Sequence, residues 1–247
     1  MNVRDIVAPN PGPFTLGGTR TYLIGDGVVL DPGPAIDSHL RAIAEAMPRL
    51  RTILITHRHG DHAPAAIPLK RATGAQIVAP AGVLDDVDRT VGDGDVVEGL
   101  EVIATPGHTR EHVCYLTADG ELFTGDTILG AGTTTIFPPD GNMADYVRSL
   151  RKLRAREPRR IFPAHGPTRD DAAALIDEYI AHRLERERQV VEALAAGATT
   201  IAEMREKIYA ALDGRLREAA EIQIVAHLTK LTEDGRVENV DGVFRLL

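Results

Sequence analysis

The chain has 247 residues, of which 43% are hydrophobic and 26% are charged, and its formal net charge at pH 7 is -8. This composition is that of an ordinary globular protein, so it excludes a disordered, a collagen-like and a disulfide-framework protein. The length predicts one large α/β domain, or a large domain with a small appendage. The acidic net charge argues against a general polyanion binder.

The single cysteine, Cys114, cannot form an internal disulfide, and it lies in an apolar strand segment, so we expect a buried core thiol. The first residues show no charged segment followed by an apolar one, the pattern of a secretory signal. No run of about 18 uncharged apolar residues occurs, so we expect no membrane span and no membrane partner. These features predict a cytoplasmic protein.

Through about residue 165, short β-rich segments alternate with Gly, Pro and Asp turns. The predicted strands are Tyr22–Ile24, Val28–Leu30, Thr52–Ile55, Gln76–Ala79, Leu100–Ala104, Val113–Leu116, Leu122–Thr124 and Arg160–Phe162. The turn Asp119-Gly120 predicts a tight antiparallel hairpin. The predicted helices are Ser38–Ala46, Ala65–Ala72 and Ala144–Arg154. This mixture of hairpins and crossovers predicts a mixed sheet covered by helices.

After residue 170 the pattern becomes helical. Apolar residues recur at helical spacing over 170–194, which predicts a long amphipathic helix that Gly197 ends. Thr200 and Glu203 have the spacing of a capping box, and they open a second predicted helix that extends to about Leu212.

A third helix is predicted over Arg217–Leu231, and Asp241-Gly242 then predicts a hairpin. Three helices and a hairpin outline a winged helix, so we divide the chain into a catalytic domain, 1–182, and a winged-helix-like domain, 183–247. The second part has ten basic and twelve acidic residues. It lacks the positive charge of a DNA reader, so we expect no duplex DNA binding and instead a packing or dimerisation element, with a homodimer as one outcome.

The densest polar motif follows an apolar strand segment directly. His57, His59, Asp61 and His62 are four potential metal ligands within six residues. In extended backbone, residues two apart point the same way, so His57 and His59 can bind one ion. Gly60 lets the chain turn, so that Asp61 and His62 can face a second ion. A polar loop that caps backbone groups is the alternative, but so many ligand types together favour a metal site.

Three further candidates, His108, Asp126 and His165, each lie just beyond a predicted strand. Strand ends that converge on one rim of a sheet bring together residues that are distant in sequence. Each of the three alone is more readily a structural loop residue than a ligand. Together with the dense motif, they predict a site for two metal ions.

These residues, in this order, resemble the motifs of the metallo-β-lactamase superfamily. The resemblance implies an α/β fold, the αβ/βα four-layer sandwich, and a metal-dependent hydrolase. It implies that the first metal is bound by His57, His59 and His108, and the second by Asp61, His62 and His165. Asp126 would bridge both ions. Zinc suits these imidazole and carboxylate ligands best, with manganese or iron as alternatives.

The segment 132–153, the motif PAHGP and the helical tail are similar to the lactamase-β-like-protein-2 type within that superfamily. The resemblance implies either thioesterase activity on carrier-bound acyl chains or endoribonuclease activity. Exported class B β-lactamases are disfavoured, because they commonly use a cysteine at the position that Asp126 occupies here.

A hydroxide held between two cations is a nucleophile at neutral pH, which is the chemistry that these ligand types support. We expect Asp61 to orient that water and to shuttle its proton. Asp31 and Thr56 are candidates to accept ring N–H bonds from the ligand histidines and so to select their tautomers, although Asp31 is equally a turn cap. The segment 130–139 could form one wall of a substrate groove, or be a plain connecting loop.

A basic cluster and four further histidines have a structural explanation as well as a functional one. Between Arg148 and Arg160 lie seven basic residues with Glu157 as the one acidic residue, which fits a solvated helix face or an edge that attracts phosphate. The remaining histidines, which we expect to have packing or surface roles away from the ligand motifs, are His39, His112, His182 and His227.

The sequence therefore predicts a dinuclear zinc-dependent hydrolase, acting on an ester or thioester by a metal-bound hydroxide. Single-stranded RNA is the second substrate class, and lactones and β-lactams rank lower. A glutathione thioesterase of the glyoxalase II kind is a further alternative, although its usual C-terminal substrate region does not match this tail. A non-enzymatic winged-helix regulator that senses metal, and a structural metal scaffold, are the alternatives of a different class.

Overall fold

The computed structural model of this chain describes residues 2–210 and 217–247. Its first sheet has six strands that are neighbours in chain order: β1 (Val3–Val7), β2 (Arg20–Ile24), β3 (Val28–Leu30), β4 (Thr52–Leu54), β5 (Gln76–Pro80) and β6 (Arg89–Val91). The first three strands pair antiparallel, and β3 to β6 pair parallel.

A second sheet has the order β11-β10-β9-β8-β7. Its strands are β7 (Val96–Val97), β8 (Leu100–Ala104), β9 (Val113–Thr117), β10 (Glu121–Gly125) and β11 (Arg160–Pro163). The hairpin predicted at Asp119-Gly120 is confirmed, since β9 and β10 pair antiparallel with Leu116 opposite Leu122. In this sheet β10 and β11 pair parallel, so the second sheet is mixed, like the first.

Helices cover the outer face of each sheet. On the first sheet lie α1 (Asp37–Ala46) and α2 (Ala66–Thr73), and on the second lie α3 (Met143–Arg154) and α4 (Ala172–Ala195). Between the sheets, Tyr22, Phe123 and Phe162 pack edge-on or stacked with ring centroids 4.9 to 5.5 Å apart. The four-layer αβ/βα arrangement is therefore confirmed, and Cys114 lies in the core under α3 as expected.

The tail consists of α5 (Ile201–Ile208), α6 (Arg217–Glu233), β12 (Val237–Val240) and β13 (Val243–Leu246). The predicted capping box is present, since Thr200 accepts from the Glu203 N–H and the Glu203 carboxylate accepts from the Thr200 N–H. The helix that it opens ends at Ile208, earlier than predicted, and Leu212 lies outside the described residues. The predicted hairpin pairs Val240 with Val243.

Helix α4 belongs to both parts of the molecule. Its first half packs on α3 through Ile176 and Tyr179, and its second half packs on α5 and α6 through Val190 and Leu194. The helix continues through residue 182 without a break, and the division at 182/183 remains a prediction.

Three strands were not predicted. The exposed or partly exposed strand β1 lacks a buried apolar run, and β6 and β7 have only three and two residues, too few to show a period of two. These strands exist because the neighbouring strands complete their backbone hydrogen bonds. No helix among the described residues is long and apolar enough to cross a membrane.

Candidate metal centre

The candidate ligands and the supporting residue Asp31 lie in loops that follow five different strands. The loops after β4, β8, β10 and β11 carry the seven predicted ligands, and the loop after β3 carries Asp31. Strands β3 and β4 run parallel, as do β10 and β11, and β8 runs in the same direction as β10 because both are antiparallel to β9. The carboxyl ends of these strands therefore meet at one edge of the sandwich.

Local turns aim the ligands at a common point. The carbonyl of His59 accepts from the N–H groups of His62 and Ala63 at 3.0 and 3.2 Å, so the dense motif closes into a turn rather than continuing the strand. Gly125, just before Asp126, has φ +47°, and a Cβ there would lie 2.7 Å from both Thr56 Oγ1 and His112 Nε2. Glycine at this position allows the Asp126 loop to lie against the loop after β4.

The first group of ligand atoms comes from His57, His59, His108 and Asp126. His108 Nε2 lies 3.1 Å from His59 Nδ1 and 3.5 Å from Asp126 Oδ2, and His57 Nε2 lies 3.9 Å from that same oxygen. The second group comes from Asp61, His62 and His165.

The other oxygen of Asp126 faces this second group. Its Oδ1 lies 3.4 Å from His62 Nε2 and 3.2 Å from His165 Nε2. Asp61 Oδ2 lies 3.5 Å from His62 Nε2 and 3.2 Å from His165 Nε2. Asp126 thus stands between the two groups, with one carboxylate oxygen directed at each.

Hydrogen bonds select the ring tautomers of three histidines. His108 Nδ1 lies 3.1 Å from the Thr135 carbonyl, and His62 Nδ1 lies 2.9 Å from Asp31 Oδ2. Because those oxygens can only accept, each Nδ1 is a proton donor, which leaves each Nε2 facing the cluster as the ring atom that can bind a metal. The Nδ1 atom of His57 likewise faces an oxygen, that of the Thr56 hydroxyl.

Thr56 connects Asp31 to His57. The Thr56 hydroxyl donates to Asp31 Oδ2 at 2.8 Å, so its oxygen accepts from His57 Nδ1 at 3.0 Å. The Thr56 N–H also donates to Asp31 Oδ1 at 2.8 Å. Asp31 and Thr56, the two candidates for supporting roles, therefore both touch rings of the cluster, and Asp31 is completely buried.

The donor set fits divalent metal ions. Buried polar atoms without a hydrogen-bond partner, which are costly in a folded protein, include His57 Nε2, His62 Nε2 and Asp126 Oδ1. All three face the cluster. Two ligand atoms at about 2.1 Å from a tetrahedral ion lie about 3.4 Å apart, which matches the separations of 3.1 to 3.9 Å above. A cation is the partner that would satisfy these atoms.

The electrostatics of the cluster also favour positive charge. Burial holds the pKa of His57 well below its ordinary value, so this ring is neutral and able to bind a metal. Burial would raise the pKa of Asp126, but the facing rings of His62 and His165 together outweigh burial and hold that pKa well below its usual range. Burial would lower the pKa of His165, yet Asp126 and Asp61 outweigh it and raise that pKa to about 9.

One functional contact overturns a sequence expectation. His112 was expected to lie away from the ligand motifs, but its Nε2 accepts from the Asp126 N–H at 3.2 Å, and its Nδ1 lies 2.9 Å from Thr105 Oγ1. The ring positions the Asp126 backbone. Its place four residues after His108, just before β9, is a signal that sequence reasoning could have used.

A second contact, from Thr19, was not foreseen. The Thr19 hydroxyl donates to Asp61 Oδ2 at 3.2 Å. Nothing in the local sequence around Thr19 indicates this role, because the contact joins residues 42 positions apart.

The basic cluster between Arg148 and Arg160 is largely neutralised. Five of its seven side chains form ion pairs: Arg148–Asp145, Lys152–Asp93, Arg154–Asp177, Arg156–Glu101 and Arg160–Asp170. The structure therefore favours the solvated helix face over an edge that attracts phosphate.

Comparison with known proteins agrees with this geometry. The family model described as "Metallo-beta-lactamase superfamily" matches residues 14–86 and 79–165, and the one described as "Beta-lactamase associated winged helix domain" matches residues 200–245. The chain is 35% identical to a beta-lactamase-like protein 2 homolog of Caenorhabditis elegans, over 96% of this chain and 86% of that protein.

Two further relatives span most of the chain. An atrochrysone carboxyl ACP thioesterase of Cryptosporiopsis sp. is 30% identical, over 94% of this chain and 80% of its own. A beta-lactamase domain protein from Burkholderia ambifaria has the same fold, with a TM-score of 0.85, 20% identity and coverage of 99% of this chain and 91% of its own. The chain therefore belongs to the metallo-β-lactamase superfamily, as a metal-dependent hydrolase that carries the associated winged helix domain.

Proposed function

We propose that this chain is a dinuclear zinc-dependent hydrolase of acyl esters or thioesters, and that carrier-bound acyl groups are its substrates. The observation that carries this proposal is the position of Asp126. One of its oxygens faces His62 and His165, and the other faces His57 and His108. A carboxylate shared between two sets of imidazoles is suited to bridge two ions, which is more than a structural site requires.

We assign the first ion to His57, His59 and His108, the second to Asp61, His62 and His165, and the bridge to Asp126. Imidazole and carboxylate ligands without a thiolate fit zinc, with manganese and iron as the alternatives. Two such ions would supply a water nucleophile at neutral pH and would polarise the oxygen of the scissile carbonyl. Asp31 and Thr56 act by holding the ligand rings in the required tautomers.

Asp61 orients the attacking water and accepts its proton. Burial would raise the pKa of Asp61, but the neighbouring rings of His62 and His165 outweigh burial and lower it to about 2. The carboxylate is therefore ionised at neutral pH and acts as an acceptor. The Thr19 hydroxyl, 3.2 Å from Asp61 Oδ2, holds the carboxylate in place.

The substrate class rests on the relatives. Atrochrysone carboxyl ACP thioesterases of two fungi, Cryptosporiopsis sp. and Paecilomyces divaricatus, are 30% and 32% identical to this chain over 94% of its length. Single-stranded RNA ranks second, because the ion pairs of the basic cluster leave it little free positive charge for phosphates. A cytoplasmic location and a homodimer remain predictions.

The test is metal analysis of the purified protein, followed by turnover measurements on acyl thioesters, lactones, a chromogenic β-lactam and single-stranded RNA. We expect two ions per chain and fastest turnover of acyl thioesters, which chelation abolishes. Turnover of RNA alone, or activity that survives complete metal removal, would contradict the proposal.

A matched pair of variants tests Asp61. We expect Asp61→Asn to lose at least about a hundredfold in kcat. Asp177→Asn removes an exposed carboxylate of α4 that pairs with Arg154, and it should keep the activity. An Asp61→Asn protein with both metals and near-full turnover would remove Asp61 from the mechanism.

A further inference from the structure

An apolar groove of about 520 Å³ lies between the catalytic fold and the winged helix domain. Phe137 and Pro138, in the segment after the Asp126 loop, form one wall. Ile201 of α5 and Ile222 and Val225 of α6 form the other. This volume is within the range of small-molecule sites, and the walls are apolar in the way that such sites usually are.

The groove wall is continuous with the candidate metal centre. Thr134 Oγ1 donates to the Asp126 carbonyl at 2.8 Å, and the Thr135 carbonyl lies 3.1 Å from His108 Nδ1. Phe137 follows two residues later. Since extended chain advances about 3.3 Å per residue, Phe137 starts within about 7 Å of a backbone group that touches a candidate ligand.

Phe137, which lines the groove, contacts a second exposed aromatic residue, Phe14. Phe137 is 39% exposed and Phe14 is 61% exposed, and their rings meet edge to face with centroids 6.0 Å apart. Phe14 lies in the loop that leads to Thr19, whose hydroxyl touches Asp61. Exposed aromatic residues that cluster beside a site, rather than singly, indicate a surface that an apolar ligand covers.

The winged helix domain is held against this segment by side chains of α4 and α6. Arg183 Nη2 donates to the Thr134 carbonyl at 2.6 Å, and Gln223 Nε2 donates to the Ile136 carbonyl at 3.3 Å. Arg183 is buried, and its Nη1 also donates to Gln223 Oε1 at 3.0 Å. Both walls of the groove are thus joined to one another and to the segment that touches the ligands.

The charge of the residues that line the groove indicates whether an acyl chain or a nucleic acid fits there. Glu218 and Glu221 of α6 are the charged residues among those that line it. Glu221 is paired with Arg205, and none of the residues that line the groove is basic, so the groove does not attract the phosphates of a nucleic acid, whereas an uncharged hydrocarbon chain gains from the apolar walls. The groove therefore suits an acyl chain and not a polyanion.

We infer that this groove binds the apolar acyl portion of the substrate whose carbonyl reacts at the metal centre, so that the winged helix domain sets the acyl-chain preference. The inference rests on the proposed ester or thioester hydrolysis. It assigns α5 and α6 a role in substrate recognition that does not involve nucleic acid.

The test compares kcat/KM for acetyl, butanoyl, hexanoyl and octanoyl thioesters of pantetheine with the metal-loaded, full-length protein. Each methylene that enters the groove should raise kcat/KM about fourfold. Val225→Gln makes the groove polar, and we expect the octanoyl-to-acetyl ratio to fall at least tenfold. The control Val96→Gln changes a valine that is 60% exposed on β7, outside the groove, and it should keep the wild-type ratio.

A second variant guards against a folding defect. Ala202→Phe fills the groove from an exposed position of α5 and should shorten the longest chain that is turned over rapidly. Thermal unfolding of each variant shows whether it is folded. A wild-type protein with no chain-length preference, or a preference that both Val225→Gln and Ala202→Phe retain, would overturn the inference.

Binding separates this inference from the proposed function. N-octylacetamide carries the alkyl chain but no thioester, and calorimetry should show that it binds wild-type protein at least tenfold more tightly than Val225→Gln. If such binding occurs while no thioester is hydrolysed, the proposed function is wrong, and so is the role of the groove in thioester hydrolysis. If thioesters are hydrolysed but N-octylacetamide binds both proteins equally, only the groove inference is wrong.

Discussion

Within residues 2–210 and 217–247, two clusters of buried or half-buried histidines have unpartnered ring nitrogens, and the two clusters differ in the charge around them. The metal cluster holds the seven candidate ligands. The tail cluster consists of His182 and Arg183 on α4 and His227 on α6, where His182 Nδ1, Arg183 Nε and both ring nitrogens of His227 have no partner. Ring nitrogens without a hydrogen-bond partner therefore do not by themselves distinguish the metal cluster from the tail cluster.

The presence of carboxylates distinguishes the metal cluster from the tail cluster. In the metal cluster, Asp61 and Asp126 outweigh burial and raise the pKa of His165 to about 9. In the tail cluster, burial, with Arg183 adding to it, lowers the pKa of His227 to about 3. The first environment attracts a cation and the second repels one. Among the described residues, the two groups able to hold an ion both lie in the metal cluster.

Removing the shared carboxylate should have the largest effect. Asp126→Asn takes away the charge between both groups of ligands, and we expect a loss of at least about a thousandfold in turnover together with loss of bound metal. Mass spectrometry of metal content and turnover with added metal measure both. Full metal content with normal turnover would show that the carboxylate is not what separates the clusters.

Asp31→Asn should have the next largest effect. Asp31 accepts from His62 Nδ1 at 2.9 Å and from Thr56, and loss of its charge weakens the basicity of the ligand ring. We expect metal affinity to fall about 10- to 100-fold, measured by competition with a chelator. An unchanged affinity would leave Asp31 as a turn cap.

The tail cluster predicts a pH dependence of stability. Unfolded histidine has a pKa of ~6.5, and the buried ring of His227, beside Arg183 and Lys230, takes up its proton only near pH 3, the folded pKa being about 3. As the pH falls below ~6.5, the unfolded state binds more protons, so stability is lost toward pH 3. At pH 5 the loss from this group is about 2 kcal/mol.

His227→Leu should remove that part of the pH dependence. Urea unfolding at pH 7 and pH 5 compares both proteins at equal metal content, so contributions from the metal cluster cancel in the difference. We expect the free energy of unfolding of wild type to fall by about 2 kcal/mol more than that of the variant. Equal losses would mean that His227 is protonated in the folded protein.

Adding a carboxylate to the tail cluster should have the smallest effect. Gln223 lies one helical turn before His227 and accepts from Arg183 Nη1, so Gln223→Glu places a negative charge beside both. We expect the pKa of His227 to rise by about one unit, seen in an NMR titration. Gln76→Glu, on β5 of the first sheet, is the matched control and should leave that pKa unchanged.

The dense ligand motif and the strands before it were predictable because their signals are local. His57, His59, Asp61 and His62 lie within six residues after an apolar strand segment, and that apolar run is visible in the sequence without knowledge of the neighbouring strands. His112 was misplaced because its importance comes from a hydrogen bond to Asp126, fourteen residues away. The basic cluster was ambiguous because its partners lie on other elements, as Asp93 and Glu101 do.

The amino-acid sequence by itself determined which groups are available as ligands, their order along the chain, and the periodic patterns of the sandwich and the tail, because ligand type and periodicity are properties of neighbouring residues. Tertiary structure decided the rest. The two directions of the Asp126 carboxylate, the tautomers selected by Asp31 and Thr56, and the groove between Phe137 and α6 depend on atoms from separate loops and helices. Distances of a few ångströms between such atoms are set by packing of the whole fold, which no local pattern encodes.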